Sequence, residues 1–311
     1  MDRNLALEFV RVSEAAAIAA AKWIGRGDKN RADGAAVDEM RDRFNQMDFK
    51  GTIVIGEGSK DEAPELYTGE KVGKGSKPLI DLAVDPLECT TSVADGLPNA
   101  MSVIASGPHG SLLSAPDTYM QKIAAGPRAK KVIRLDQSVP VTIRKVAKAL
   151  GKKPSDICVA VLDRPRHEKL IAEIRKVGGR VKLFTDGDVS AAMATCLPDS
   201  GIDLLMGTGG STEAVLAAVA VKILGGEILC RFNPPNEKHA NLVKKARLNT
   251  KKIYTANDMA KGKMLTFTAT GIMEGLLLRG VRVTETGTTT HSIVIRGESG
   301  TIRYIETHHG H

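Results

Sequence analysis

Aromatic side chains are scarce in this 311-residue sequence, where phenylalanine, tryptophan and tyrosine together make up 4% of the chain. Proteins that hold single-stranded nucleic acid stack its bases on such side chains, so a base-stacking surface is not expected. The formal net charge is nevertheless +8. The basic residues are scattered along stretches such as 164–176 and 244–252. An enzyme that binds anionic substrates explains the excess of cations equally well, and we expect no nucleic-acid partner.

Cysteine pairs and long apolar runs are also missing from the sequence. The four cysteines stand far apart, with no CxxC pair, at positions 89, 158, 196 and 230. This spacing favours neither a zinc site nor a disulfide framework, and it indicates a reducing compartment. No apolar run is long enough to span a bilayer, and acids interrupt the apolar pattern of residues 1–20, as in an amphipathic helix rather than a signal peptide. We therefore expect a cytoplasmic protein without a membrane partner.

The most informative stretch is LIDLAVDPLECTT at 79–91. Its apolar start is typical of a strand buried on both faces, and Pro86 interrupts the strand because proline has no N–H to donate. Asp85 and Glu88 flank this proline, and the hydroxyl of Thr90 follows. Buried carboxylates are costly unless a cation or a donor meets them, and hard oxygens of this kind suit Mg²⁺ or Mn²⁺. Taken alone, the stretch is explained equally well as a strand and turn with solvated acids.

Two more acids stand at the ends of predicted elements. TIVIGE at 52–57 is an apolar strand that ends in Glu57, and Asp33 lies between amphipathic segments at 2–25 and 34–45. Asp33 has a second interpretation as the N-cap of the later helix. Three separate acids at element ends strengthen the hypothesis of a metal site. The acids of the glycine-rich loop after Glu57 are interpreted as a solvated face: Asp61, Glu62, Glu65 and Glu70.

The second half of the chain changes to a strand–helix–strand pattern, with strands at 157–163 and 180–186 around a helix at 167–179. Such a βαβ unit binds ligands beyond the carboxyl ends of its parallel strands. Arg164-Pro165-Arg166 follows the first strand, and Asp186-Gly187-Asp188 follows the second. Two arginines around a rigid proline predict a bidentate phosphate clamp. We favour it over surface arginines at a helix start, because cations oppose the positive end of the helix dipole.

A third strand at 202–210 runs through Gly-Thr-Gly-Gly into a predicted helix. A glycine-rich strand-to-helix turn lets backbone N–H groups approach an anion. The signal is weak, and it is no Walker motif because no Gly-Lys-Ser/Thr follows. Glu213 at the helix start has the simpler interpretation of compensating the helix dipole.

The segments at 27–41, 51–73 and 81–105 together resemble the class II fructose-1,6-bisphosphatases. These enzymes belong to the metal-dependent, lithium-sensitive sugar-phosphatase superfamily, which includes the inositol monophosphatases. The superfamily signature is an acid on one strand, followed by Asp-Pro-x-(Asp/Glu)-Gly-Thr on the next. This chain has Cys89 where the family usually has glycine. If that position needs a left-handed backbone, Cys89 strains the turn, which would lower activity.

The resemblance implies a mixed α/β fold of layered α-β-α-β-α type, with a metal-binding half at 1–156 and a substrate-binding half at 157–311. It implies Mg²⁺ or Mn²⁺ on five carboxylates: Asp33, Glu57, Asp85, Glu88 and Glu213. It also implies that Thr90 orients the attacking water, that Asp85 helps to remove its proton and that Lys29 neutralises or orients the acids. The implied substrate-binding residues are Glu88, Cys89, Thr90, Tyr119, Arg164, Pro165, Arg166, Asp186, Gly187, Asp188 and Gly210.

The reaction that the resemblance implies is hydrolysis of the 1-phosphate of fructose 1,6-bisphosphate to fructose 6-phosphate, in gluconeogenesis. A broader sugar-bisphosphatase that also accepts sedoheptulose 1,7-bisphosphate stays open, as does an inositol-phosphate or nucleotide phosphatase. A different class is a phosphosugar-binding protein in which Cys89 has ended catalysis. A pure binder, however, has no need of clustered carboxylates that repel phosphate. A symmetric homo-oligomer is expected from base rates alone.

Overall fold

The computed structural model of the protein describes residues 5–58 and 65–310. Within these residues, helices alternate with strands, in agreement with the predicted α/β class. The helices are α1 (Leu5–Ala21), α2 (Lys29–Gln46), α3 (Thr90–Asp95), α4 (Val139–Leu150), α5 (Glu168–Lys176), α6 (Asp188–Ala194), α7 (Ser211–Ile223), α8 (Glu237–Lys245) and α9 (Ala256–Met259). No helix in these two ranges has both the length and the apolar character needed to cross a bilayer.

The strands form two separate sheets. They are β1 (Lys50–Ile55), β2 (Lys71–Val72), β3 (Leu79–Glu88), β4 (Met101–Pro108), β5 (Tyr119–Ala125), β6 (Cys158–Leu162), β7 (Arg180–Phe184), β8 (Leu204–Gly210), β9 (Glu227–Phe232), β10 (Thr266–Gly271), β11 (Arg282–Thr284), β12 (Gly287–Arg296) and β13 (Thr301–His309).

The chain divides into two compact units at positions that differ from the predicted halves, 1–156 and 157–311. One unit holds the described residues up to Ser114 and from Lys261 onward, and the other is Ala115–Ala260. The boundary differs because the chain returns to its first sheet near its end. β10 pairs antiparallel with β4, and β12 pairs with β10. Backbone hydrogen bonding therefore assigns the last strands to the first unit.

The first unit is an eight-stranded sheet in the order β11-β12-β10-β4-β3-β1-β2, with β13 added beside β12. β1 and β3 run parallel, and the other pairs are antiparallel. Helices α1 and α2 pack against each other and on this sheet. Three fully buried rings join them: Phe9 packs edge-to-face on Phe44 and Phe49, with ring centroids 5.9 Å apart in both pairs. Such aromatic packing stabilises the position of α2 against the sheet.

Helix α2 begins at Lys29 rather than at Gly34, where the sequence pattern predicts its start. The N-cap is Asp28, whose carboxylate accepts the N–H of Arg31 at 3.0 Å. Asp33 therefore lies inside the helix, and its interpretation as an N-cap is wrong. Because Asp28 caps the helix, neither carboxylate oxygen of Asp33 is needed as the cap.

The second unit is a five-stranded sheet in the order β7-β6-β8-β5-β9. β6 is parallel to β7 and to β8, which confirms the predicted βαβ unit through α5. α4 and α5 bury their apolar sides against one face of the sheet, with Ile143, Ile174 and Val159 in a common core. The carboxyl ends of the parallel strands lie at one edge, which is the position where α/β sheets bind ligands.

Candidate metal centre and phosphate-binding edge

Strand register brings two of the predicted acids to one edge of the first sheet. β1 and β3 are parallel neighbours, and Ile55 pairs with Ala83. Glu57 and Asp85 each come two residues later, so both stand at the carboxyl ends of their strands. Beyond this point a β-bulge interrupts the pairing of β3 with β4 between Asp85 and Glu88. Proline explains the bulge, because Pro86 has no N–H for the ladder.

Two of these acids lie in a poorly solvated region. Burial raises the pKa of Glu57 to about 8, and the negative charge of Asp33 adds to this rise. Burial also raises the pKa of Asp33 on α2. Among the residues that the structure describes, no cation offsets the shift at Glu57. Asp33 and Glu57 therefore form a pair of mutually repelling carboxyl groups that a positive charge would stabilise.

The other two acids of this unit lie on the bulged end of β3. Glu88 is buried, with 4% of its surface exposed, and Asp85 is half-buried. Thr90 is the half-buried first residue of α3. Lys29 is exposed at the start of α2, and this exposure offers no support for a role in neutralising the acids.

The donor set of the first unit fits a hard divalent cation in its chemistry. It consists of carboxylate oxygens from α2, the end of β1 and the end of β3, and such oxygens are the preferred ligands of Mg²⁺ and Mn²⁺. In residues 5–58 and 65–310, however, no three acidic, histidine or cysteine side chains converge closely enough to hold one ion. The mutual repulsion of Asp33 and Glu57 is what a bound cation would remove.

Cys89, which stands where glycine is expected, has a left-handed backbone conformation. Its dihedral angles are φ 72° and ψ 52°, and it is the residue before α3. Its carbonyl accepts the N–H of Ser92 at 2.9 Å, and its side chain is buried in the core of the unit. The left-handed conformation costs a residue with a Cβ about 1–2 kcal/mol. The turn between Glu88 and Thr90 is therefore strained, as the sequence predicts for a left-handed position.

Glu65 and Glu70, which the sequence analysis places on a solvated face, both contact an arginine in the structure. Glu70 is buried and accepts a hydrogen bond from Nε of Arg41 at 2.7 Å, and Glu65 forms an ion pair with the same arginine at 3.2 Å. The solvated interpretation is wrong for Glu70, because the guanidinium of Arg41 on α2 compensates its charge. Asp61 and Glu62 lie outside the described residues.

In the second unit, the predicted arginine clamp lies at the carboxyl edge of the sheet. Nε and one amino group of Arg166 donate to the carbonyl of Thr208, at 3.1 and 2.9 Å. The guanidinium also lies 5.2 Å from the ring centroid of Tyr119, which is 36% exposed. Arg164 contacts Asp186 at 3.5 Å. Burial raises the pKa of Asp186, Arg164 lowers it and Glu213 raises it, so these charged groups form one electrostatic cluster.

Asp188 binds a residue that the sequence analysis missed. Its Oδ2 accepts a hydrogen bond from Nζ of Lys122 at 2.5 Å, and both side chains are buried. Burial disfavours the charged form of Lys122, but the carboxylates of Asp188 and Glu213 outweigh this and raise its pKa. The available signal was a lysine within the otherwise apolar second half of β5. Gly187 before Asp188 has φ 92° and requires the freedom of glycine.

Glu213 lies in the first turn of α7, close against the backbone of β8. Its Oε2 accepts a hydrogen bond from the hydroxyl of Thr212 at 2.9 Å. A Cβ on Gly210 would stand 1.8 Å from the same oxygen. Glycine at 210 is therefore required for the carboxylate to lie on the strand-to-helix turn.

His167 is a second missed residue, and it contacts the same strand residue as Arg166 does. Its Nδ1 lies 2.8 Å from the carbonyl of Leu162, and its Nε2 accepts the N–H of Thr208 at 2.8 Å. The ring is therefore neutral with the proton on Nδ1, in agreement with a pKa that burial lowers. Arg166 and His167 thus hold the two sides of the same Thr208 residue. The only sequence signal was a histidine directly after Arg-Pro-Arg.

Comparison with known proteins identifies the family. The family described as "Bacterial fructose-1,6-bisphosphatase, glpX-encoded" matches residues 3–309. "Fructose-1,6-bisphosphatase 1 class 2" of Escherichia coli (strain K12) is 45% identical over 322 aligned positions, which cover 99% of this chain and 96% of that protein. This chain belongs to the class 2 fructose-1,6-bisphosphatase family. "Fructose-1,6-bisphosphatase class 2" of Shigella flexneri has the same identity and coverage.

Two solved structures show a weaker likeness to this class 2 chain. An extragenic suppressor from Pyrococcus furiosus is 10% identical, with a TM-score of 0.31, over 60% of this chain and 68% of the other. The extragenic suppressor protein suhB from Bartonella henselae is 14% identical, with a TM-score of 0.35, over 63% and 74%. Neither score supports an argument about this site. Membership in the fructose-1,6-bisphosphatase family implies a divalent metal cofactor and a fructose bisphosphate substrate.

The first prediction concerns the backbone at Cys89. Cys89→Gly is expected to be more stable to urea than Cys89→Ala by about 1 kcal/mol, because only glycine is unstrained at positive φ. The same pair at Cys158, in strand β6, is the control. There alanine is expected to be the more stable by about 0.5–1 kcal/mol. If the same residue, glycine or alanine, gave the more stable variant at both positions, the strain inferred at Cys89 would be contradicted.

The second prediction follows from the raised pKa of Glu57. In EDTA the folded chain keeps a proton on Glu57 that the unfolded chain, with an ordinary value of 4.5, releases. The free energy of unfolding therefore falls as pH rises from about 5 to about 8. Glu57→Gln should flatten this fall in denaturant titrations, and the exposed Glu298→Gln should leave it unchanged. An equally steep fall in the Glu57 variant would refute the assignment.

The third prediction separates the two nitrogens of His167. Glutamine places an acceptor near the position of Nε2, whereas asparagine places a donor near that of Nδ1. His167→Asn should therefore raise KM for fructose 1,6-bisphosphate about tenfold, with kcat within about twofold, because the N–H of Thr208 loses its acceptor. His167→Gln should keep KM within about threefold. Equal KM values in the two variants would show that the ring has no such positioning role.

Proposed function

We propose that this chain hydrolyses the 1-phosphate of fructose 1,6-bisphosphate to fructose 6-phosphate and phosphate in gluconeogenesis. The observation that carries the proposal is 45% identity over 99% of the chain to a class 2 fructose-1,6-bisphosphatase. The geometry adds support in each unit. In the first unit, Glu57 stands at the end of a parallel strand, and no cation among the described residues offsets the rise in its pKa. In the second unit, two arginines and a tyrosine lie at the carboxyl edge of the sheet.

The proposed cofactor is Mg²⁺ or Mn²⁺, held by Asp33, Glu57, Asp85, Glu88 and Glu213. When bound, such an ion supplies charge neutralisation at the phosphate and lowers the pKa of a water molecule. The hydroxyl of Thr90, at the start of α3, would orient the attacking water by accepting or donating one hydrogen bond. Asp85 would take the proton of that water as general base. Lys29 is proposed only as a long-range positive charge near these acids.

The proposed substrate-binding surface is built around the two arginines, Arg164 and Arg166. Arg166 has one guanidinium edge occupied by the Thr208 carbonyl, which leaves its other edge for a phosphate oxygen. Arg164 and Asp186 would bind a phosphate and a sugar hydroxyl, with Pro165 restricting the backbone between the arginines. The charge of Asp188 is engaged by Lys122, so its part in substrate binding is proposed to be indirect. Its proposed role is to position the Gly209–Gly210 backbone near the sugar.

The remaining substrate residues are proposed from the family motif. Tyr119 would lie on the sugar phosphate, and Gly187 and Gly210 would allow close approach of the backbone. Glu88, Cys89 and Thr90 would line the reacting phosphate. A homo-oligomer and a cytoplasmic location are proposed on base rates and on the four free cysteines.

A second candidate function rests on Cys89. If the strain at its φ of 72° displaced Thr90, the chain would bind the phosphosugar but turn it over slowly. Broader sugar-bisphosphatase activity, on sedoheptulose 1,7-bisphosphate for example, is distinguished from the main proposal by comparing substrates in one assay.

The test is phosphate release from fructose 1,6-bisphosphate with Mg²⁺, with Mn²⁺ and with EDTA. We expect release with at least one metal and none with EDTA, since the carboxylates need a cation before a phosphate can approach. Activity that persists in EDTA would refute the metal-dependent mechanism. Absence of release with any metal, together with binding of the substrate, would support the second candidate, which Cys89→Gly would then test.

A matched pair of threonines tests the proposed orientation of water. Thr90→Ala should lower kcat by about 100-fold, with metal activation and thermal unfolding close to those of the parent. Thr91→Ala is the control, because Thr91 is the exposed neighbour in the same helix. Similar kcat values for the two variants would remove Thr90 from the mechanism.

A further inference from the structure

The second unit contains a cavity of about 420 Å³ on the face of its sheet. It lies between strands β5, β8 and β9 and the segment that enters α4. Of the proposed substrate-binding residues, it includes only Arg166. Its volume is in the range of small-molecule binding sites.

The lining of this cavity has a strong excess of positive charge. Four cationic side chains contribute to it, and no aspartate or glutamate does among the described residues. Lys122 is neutralised by Asp188, and Arg231 is paired with Asp136 at 2.6 Å. Arg134 and Arg166 differ, because both donate to backbone carbonyls, which carry no compensating charge. Uncompensated guanidinium groups at a concave surface favour a phosphate-type anion.

The lining of the cavity also includes apolar residues. Ile123, Met206 and Phe232 come from the three strands, and Leu135, Val139 and Leu170 come from the helical side. A ligand that fills the volume therefore combines an anionic group with an apolar or planar part. The start of α4 adds to the positive potential, because Val139 is its first residue and the N-cap Ser138 makes no side-chain hydrogen bond to the helix.

We propose that this cavity is a second binding site, which takes a small phosphate monoester with an apolar group and antagonises substrate binding through Arg166. The antagonism, unlike the binding, rests on the proposed function. Nε and one amino group of Arg166 already hold the carbonyl of Thr208. One edge of the guanidinium is left, and it cannot clamp a phosphate in the cavity and a phosphate of the substrate at once. Occupancy of the cavity therefore raises KM without lowering kcat.

The binding test uses phenylphosphonate, a non-hydrolysable probe, titrated calorimetrically into the full chain in EDTA. The double variant Arg134→Gln/Arg231→Gln should bind it at least about tenfold more weakly than the parent. The matched control is Arg128→Gln/Arg144→Gln, which removes two exposed arginines that also donate to carbonyls. It should bind as the parent does. Methylphosphonate, which lacks the ring, should bind the parent more weakly than phenylphosphonate does, because it makes no contact with the apolar lining residues.

Equal phenylphosphonate affinity in the parent and the cavity variant would overturn the proposal. Should the double variant unfold, Arg134→Gln alone serves. Arg134 is exposed, and within residues 5–58 and 65–310 its hydrogen bonds go to carbonyls of its own loop. The coupling is tested by the KM for fructose 1,6-bisphosphate. Saturating phenylphosphonate should raise it about threefold or more in the control variant and less in the cavity variant. An equal rise in both would overturn the coupling. A chain that fails to hydrolyse the bisphosphate would refute the proposed function, while the calorimetry still decides the site.

Discussion

A carboxylate taken out of water must meet a positive charge or give up its own, and the two units of this chain satisfy this constraint in different ways. In the second unit, Asp188 is buried against Lys122, so the charge is neutralised within the chain. In the first unit, Glu57 meets no such cation among the described residues, and its pKa rises to about 8. Without a cation, Glu57 therefore gives up its charge near neutral pH, and a divalent metal, which membership in the family implies, would allow it to stay ionised.

The second unit depends on close approach between side chains and backbone. A Cβ on Gly209 would stand 2.1 Å from Oδ2 of Asp188, and one on Gly210 would stand 1.8 Å from Oε2 of Glu213. The glycines after Thr208 thus serve less to wrap an anion, as their sequence suggests, than to admit two carboxylates of the chain itself. His167 positions the backbone there by accepting the N–H of Thr208, and Lys122 holds the carboxylate of Asp188 beside Gly209.

Local patterns predicted the elements well, because strand and helix periodicity depends on near neighbours. The βαβ unit around α5 and the strand ending near Glu57 are where the sequence places them. The return of β10 to β4 was not predictable from periodicity, since strand pairing between residues 101–108 and 266–271 is a long-range choice. Lys122 and His167 were missed for the same reason: their roles depend on partners in α6 and β8 that no local spacing reveals.

The strain at Cys89 bears on whether catalysis survives the loss of the family's glycine. Its angles of φ 72° and ψ 52° lie near the left-handed minimum that glycine would occupy. The hydrogen bond from Ser92 to its carbonyl is intact at 2.9 Å, and α3 begins regularly at Thr90. The bulge before Cys89 and the helix after it hold the turn from both sides, so the backbone keeps its course. The cost of the cysteine therefore falls on the free energy of unfolding, while α3 still begins at Thr90.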